Sequence, residues 1–300
     1  MARKNGENSE FDSYDYIPIT EYEKQAMSER PSRTLQSKVA IVTGAGALGY
    51  SIGNGRATAI MLAEIGANEA SAKRTVQIIE YLQLPGRAVV GVADITKLDD
   101  CEAVVQLAKT EFGRLDVLVN NVGIHGAKGN SVDVDMTQWA IAAQINVTSM
   151  ISMAKFAIPV MLEKQRDTDT RELGSIINVA SVNGIRGGSP DIIHPTTKGA
   201  IVNMTRAMST HHGSSGIQVN CVCPGAVYTP MVGGIEGVMS DIIRESRKKR
   251  SILGTEGSGW DVGAAIRFLA SSEASWITGV ILPVDAGATA AVGVGHNMGH

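Results

Sequence analysis

The stretch Lys38-Val-Ala-Ile-Val-Thr43-Gly44-Ala-Gly46-Ala-Leu-Gly49-Tyr-Ser-Ile-Gly53-Asn-Gly55-Arg56 decides how the rest of the chain is read. It opens with a short run of apolar and β-branched residues, the pattern of a strand buried on both faces. A glycine-rich turn follows at once, with G-x-G-x-x-G at Gly44, Gly46 and Gly49 and a further pair at Gly53 and Gly55. From Arg56 to Gly66 apolar residues recur at helical spacing and the run ends on glycine. Strand, glycine turn and helix in that order form the first unit of a dinucleotide-binding fold. Glycine lets the backbone approach a pyrophosphate, and the free N–H groups of the helix start hold its negative charge.

Outward from this unit, strand patterns at 38–43, 87–93, 115–120, 174–180, 216–222 and 278–284 alternate with helical patterns at 55–66, 70–83, 97–112, 136–164, 196–212 and 260–272. That alternation predicts an α/β fold, a Rossmann-like doubly wound parallel sheet with helices on both faces, in a single domain over 35–300. Residues 1–34 lack apolar periodicity and read as a flexible extension; their Phe11, Tyr14, Tyr16 and Tyr22 leave docking on a partner subunit as the alternative. The rhythm breaks once. Between Ala67 and Ala70 no residue run fits a strand, so two helices follow each other where a strand should return to the sheet. Segment 227–259 is irregular and reads as a lid over the strand ends. Its basic run, Arg244, Arg247, Lys248, Lys249 and Arg250, reads as a solvated helix face.

Bulk properties narrow the function classes. A net charge of −3 and an aromatic content of 4% give no basis for nucleic-acid binding. No apolar run approaches bilayer length and Met1–Glu10 has no signal-like apolar core, so neither membrane nor secretion is expected. The three cysteines, Cys101, Cys221 and Cys223, point to a reducing compartment, the cytoplasm. Cys221 and Cys223 alternate along a strand and read as core packing rather than metal ligands; no metal is expected.

Polar residues gather at the carboxyl ends of the strands, where ligands bind in such sheets. Asp94 ends one strand, Asn120-Asn121-Val122-Gly123 the next, Ser181 another, and Pro224-Gly225 follows the strand Gln218–Cys223. With Thr43-Gly44-Ala-Gly46, Asp94-Ile95, Asn120-Asn121-Val-Gly123, Asn146, Gly174-Ser-Ile-Ile-Asn-Val-Ala-Ser181, Pro224-Gly225, Thr229 and Leu282-Pro-Val-Asp285, the chain resembles the short-chain dehydrogenase/reductase family from residue 35 to about 290. The resemblance implies a seven-stranded Rossmann domain, NAD or NADP as cofactor, and hydride exchange with a secondary, even cyclic, alcohol or ketone. It also implies a homo-oligomer, a tetramer or dimer, built on helices around 136–164 and 196–212. By resemblance, Asp94 and Ile95 hold the adenine, Asn121 and Gly123 line the adenosine ribose, and Val227 and Thr229 hold the nicotinamide amide. Pro224 and Gly225 belong to the same cofactor site. Ser181 bonds the substrate oxygen, and Asn146 supports a water relay beneath Lys198, with a helix kink or cap as its alternative.

Three departures stand against the family pattern. His194 occupies the place of the catalytic tyrosine in Tyr-x-x-x-Lys, four residues before Lys198. A neutral imidazole accepts a proton in alcohol oxidation, but it is shorter than a phenol. The second strand, whose end reads the adenosine 2′ position, is missing, so the choice between NAD and NADP is not legible. The glycine turn is also too long: Gly44, Gly53 and Gly55 form the working register, with about five residues looping out. Two functions follow, an NAD(P)-dependent oxidoreductase, or an impaired homologue that binds nucleotide or serves as a partner subunit. The apolar lid (Val227, Met231, Val232, Ile235, Val238, Met239, Ile242) predicts a mostly hydrophobic substrate.

Overall fold

In the computed structural model, which describes residues 34–46, 52–64, 68–70, 73–163, 173–229, 232 and 239–291, the strand patterns become one parallel sheet. Its elements are β1 (Val39–Val42), α1 (Asn54–Glu64), β2 (Asn68–Ala70), α2 (Lys73–Tyr81), β3 (Ala88–Val89), α3 (Leu98–Phe112) and β4 (Val117–Asn120). They continue with α4 (Met136–Ala143), a π-helical turn (Gln144–Thr148), α5 (Ser149–Leu162), β5 (Gly174–Val179), a 3₁₀ turn (Val182–Gly184), α6 (Ile193–His212) and β6 (Ile217–Pro224). The last part holds β7 (Val227–Tyr228), α7 (Asp241–Lys248), β8 (Gly257–Ser258), α8 (Gly259–Ala270) and β9 (Ile281–Val284). The sheet has seven strands in the order β3-β2-β1-β4-β5-β6-β9, and every described pairing in it is parallel. These residues all lie in the unit Ser32–His300. The extension expected over 1–34 lies outside the described residues except Thr34.

Burial explains the two-sided architecture. Along β1, Ala40 and Val42 face a core with Leu62, Val262, Ile266 and Leu269 of α1 and α8, while Val39 and Ile41 face one with Val105, Met153 and Met161 of α3 and α5. A strand whose two faces are both covered must be apolar throughout, which is why the run from Val39 to Val42 does not alternate.

The expectation of a missing strand is corrected. Asn68–Ala70 forms β2, pairing Val39 with Asn68 and Ile41 with Ala70 on one side, and Ala70 with Val89 on the other. Its residues have no strand propensity; the backbone groups of β1 and β3 impose the conformation. The strand is only three residues long, and β3 only two.

The helix expected as one over 136–164 is divided by the π-helical turn. Met136–Leu162 is also long and apolar enough to cross a bilayer, contrary to the sequence reading. Its apolar residues Met153, Ala154, Ala157, Val160 and Met161 pack instead in the core beside Leu118 and Ile176, the behaviour of a buried core helix. The helix expected from 196 starts earlier, at Ile193, which brings His194 and Pro195 into its first turn; proline is tolerated there because that N–H has no intrahelical partner.

Candidate active site

The glycine turn forms around Gly44, whose φ is +65°. A side chain at Gly55 would collide with the Gly44 carbonyl and fall 2.5 Å from Asn121 Nδ2. Gly44 and Gly55 therefore meet at the start of α1, as the longer register requires; residues 47–51, expected to loop out, lie outside the described residues. Asn121 braces this turn. Its Nδ2 donates to the carbonyls of Thr43 and Gly44 at 3.1 and 3.2 Å, and its N–H donates to Thr43 Oγ1 at 3.0 Å. Behind the turn Arg56 is buried, with Nε donating to Thr75 Oγ1, which in turn donates to the Ala45 carbonyl at 2.7 Å. One observation fits a nucleotide here, the side-chain-free cradle at Gly44 and Gly55. Gly53 precedes Asn54, and its carbonyl accepts the Ala57 N–H at 2.9 Å.

The second cluster is centred on Lys198. Its Nζ is buried and donates to the Val179 carbonyl at 3.0 Å. A side chain at Gly123 would fall 3.2 Å from that Nζ and 3.4 Å from Asn146 Oδ1, so the β4 loop passes close over the ammonium with little room to spare. Burial lowers the Lys198 pKa to about 8. Asn146, in the π-helical turn, holds the loop by both backbone groups of Ile124. Oδ1 accepts the N–H at 2.8 Å, Nδ2 donates to the carbonyl at 3.0 Å, and Nδ2 also donates to Thr197 Oγ1 at 3.1 Å. Asn146 thus lies where the helix is interrupted, in line with the kink given as its alternative role.

Ser181 follows β5, and its Oγ accepts the Asn183 N–H at 3.1 Å. The turn it starts rests on α6: a side chain at Gly184 would lie 2.5 Å from the Lys198 carbonyl. Beneath these residues a polar ladder, Asn120 to Asn178 at 2.9 Å and Asn178 to Thr205 Oγ1 at 3.0 Å, ties β4 and β5 to α6. It fixes the helix that carries His194 and Lys198, and nothing in the local sequence pattern announces it.

His194 is half-buried, and its Nδ1 is enclosed with no hydrogen-bond partner. Its pKa falls to about 4, first through burial, then through the Lys198 charge and the neighbouring His125. The imidazole is therefore neutral at physiological pH and available as a proton acceptor.

The remaining expected cofactor residues lie on other elements. Asp94 is exposed; its Oδ1 accepts the N–H and Oγ1 of Thr96 at 3.0 and 2.7 Å, which holds its pKa low. Ile95 packs against the core, and its carbonyl accepts Cys101 Sγ. The Gly225 N–H donates to the Val284 carbonyl at 3.0 Å, and Pro224 pairs with Val284 at the end of β6. Val227 is buried in the small β7–β8 pairing, and the Thr229 carbonyl accepts the Val232 N–H.

Within the segment expected to act as a lid, the reading of the basic run changes. Arg244 and Arg247 grip the buried Glu256, Arg247 also donates to the Val227 carbonyl at 2.9 Å, and the Arg244 guanidinium lies 4.3 Å from the Tyr228 ring centre. Two of the five cations therefore brace the lid to β7 instead of facing water. Met231, Ile235 and Val238 lie outside the described residues. Cys221 and Cys223 are buried, free and 3.8 Å apart in the core, as read from their spacing.

A parallel sheet ordered in this way, with a glycine cradle and a Ser–(His)–Lys–Asn cluster along the strand ends, defines the class of nucleotide-binding Rossmann oxidoreductases. The comparisons agree. A family model described as enoyl-(acyl carrier protein) reductase matches residues 46–289. The chain is 34% identical over 260 residues to meso-2,3-butanediol dehydrogenase of Serratia marcescens, covering 86% of this chain and 96% of that protein. It is 34% identical over 257 residues to cis-4-hydroxycyclohexanecarboxylate dehydrogenase of Sinomonas cyclohexanicum, covering 84% and 97%. The crystal structure of a protein described as a short-chain dehydrogenase/reductase from Burkholderia xenovorans matches with a TM-score of 0.76 at 33% identity, covering 86% of this chain and 99% of that one. Levodione reductase matches with a TM-score of 0.73 at 27% identity, covering 86% and 99%. The chain belongs to the short-chain dehydrogenase/reductase family.

Proposed function

We propose that this protein exchanges hydride between a nicotinamide cofactor, NAD or NADP, and a secondary, mostly hydrophobic and preferably cyclic, alcohol or ketone. The observation that carries the reading is the placement of a neutral His194 one helical turn before the buried Lys198, on a helix tied through Asn178 to the strands whose neighbour β1 leads into the glycine cradle. The cofactor supplies the hydride acceptor or donor. Gly44, Gly53 and Gly55 admit its pyrophosphate to the start of α1, with Asn121 holding the turn. Gly123, Asp94, Ile95, Pro224, Gly225, Val227 and Thr229 line the remainder of its groove. Ser181 orients the substrate oxygen, His194 takes or returns its proton at a ring nitrogen, and the Lys198 ammonium lowers the cost of negative charge on that oxygen. Relatives named for a secondary diol and for a cyclic hydroxy acid support a secondary alcohol as the reacting group.

A second copy of the chain is the proposed partner, covering the exposed Met136, Ile141 and Ile151 along α4 and α5. Three buried thiols suit a reducing compartment such as the cytoplasm. The unpartnered Nδ1 of His194 favours one alternative, a homologue that binds nucleotide without turnover. Purified wild-type protein compared with His194→Tyr, on cyclic secondary alcohols with both cofactors, separates the two. Turnover by wild type supports the oxidoreductase; turnover by the tyrosine variant alone establishes the impaired homologue; no binding of either cofactor by either protein removes both.

A further inference from the structure

The loop leaving β4 brings a second imidazole to His194. His125 is exposed, and its ring centre lies 5.2 Å from that of His194 with 39° between the planes. The approach is held in place, because Asn146 grips both backbone groups of Ile124, the residue just before His125. On the other side of the pair, Nδ1 of His194 is enclosed and unpartnered. A proton arriving on a half-buried imidazole beside an ammonium is unstable there and needs a way out.

Three charged or titratable groups face His194: Lys198 from its own helix, Asp191 just before that helix, and His125 from the β4 loop. Lys198 is buried, with its Nζ on the Val179 carbonyl. Asp191 is half-buried, and its Oδ1 accepts the Gly129 N–H at 2.9 Å. His125 is the one of the three that is exposed to solvent.

Resting on the oxidoreductase reading, we infer that His125 is the proton exit of His194, a positioning residue that links the buried imidazole to solvent. In the oxidation direction the alcohol O–H bond breaks and His194 takes the proton on one ring nitrogen. His194 then yields the proton of its other nitrogen to His125 through one water, and His125 passes it to bulk solvent. Ketone reduction draws a proton in along the same path. Each handoff moves one proton between two imidazoles, so no further reactant is required.

The test uses the full chain with His125→Ala and His125→Gln, both at an exposed loop position. The inference predicts a kcat fall of about 10²-fold in both variants, with cofactor KM unchanged and the rate restored by imidazole added to the buffer. A purely structural role would not respond to added imidazole. Independently of activity, NMR titration of the histidine side chains should show the His194 midpoint moving up from about 4 when the His125 charge is removed. An active wild type whose rate ignores both substitutions overturns the inference, and so does a rate loss that imidazole does not restore. An unmoved His194 midpoint overturns the pairing itself. A wild-type protein without hydride transfer under any condition overturns the oxidoreductase reading and the exit role with it, while the titration still decides whether the two rings are coupled.

Discussion

The two halves of the sheet are built to different standards. Beside α6, β4, β5 and β6 are four, six and eight residues long and buried throughout, and a polar ladder ties two of them to that helix. At the opposite edge, β2 and β3 are three and two residues long. The long strands are held by packing on both faces and by side-chain hydrogen bonds. The short ones are held by backbone pairing with their neighbours. The difference teaches that strands can be short at the edge while the glycine cradle and α6 keep their places.

Predictions that break or sharpen this contrast rank by where they strike. His194→Gln, which keeps a polar side chain but cannot take up a proton, should lower turnover by about 10²–10⁴-fold with cofactor binding retained, as read by steady-state kinetics beside cofactor fluorescence titration. Gly55→Ala should act next in size. Its new methyl meets the Gly44 carbonyl and Asn121 Nδ2, so nucleotide affinity should fall and stability drop by about 1–3 kcal/mol, measured by calorimetric titration and thermal unfolding. Glu256→Gln weakens the hold of Arg244 and Arg247 on the lid. It should raise substrate KM several-fold with kcat changed less, and hydrogen exchange across 241–258 should quicken. The smallest effect belongs to the short β2–β3 edge. No acidic residue follows Ala70 before Lys73 in the sequence, and KM for NAD and NADP should differ by no more than about tenfold. A strong preference for NAD would show that the short edge reads the 2′ position by a group elsewhere.

The same contrast explains how much of the molecule is legible in its sequence. Where strands are long and covered on both faces, as in Ile217–Pro224, an unbroken apolar run is the only pattern that satisfies burial, and the element can be read directly. Asn68–Ala70 carries no such signature, because its strand conformation comes from two neighbours that precede and follow it in sequence. The glycine register was readable because Arg56-Ala-Thr-Ala59 must enter a helix in one phase only. Lys198 and His194 are located only through the resemblance to the family's Tyr-x-x-x-Lys pattern. Their surroundings leave no such mark: the Asn146 grip on Ile124, the Asn178–Thr205 link and the Glu256 clasp all join residues far apart in the chain. Contacts of that kind depend on topology, and local pattern carries no trace of them.

The central claim, that His194 performs the acid–base step beside a charged Lys198, is tested most directly by the pH dependence of kcat/KM for alcohol oxidation in wild type and His194→Gln. His194 accepts a proton only when neutral, so the wild-type rate should fall as pH drops through about 4. It should hold steady above that and fall again as pH rises through about 8, where Lys198 loses the charge that stabilises the substrate oxygen. In His194→Gln the residual rate should lose the acid limb and keep the alkaline one. An acid limb that persists unchanged in the variant would contradict the account.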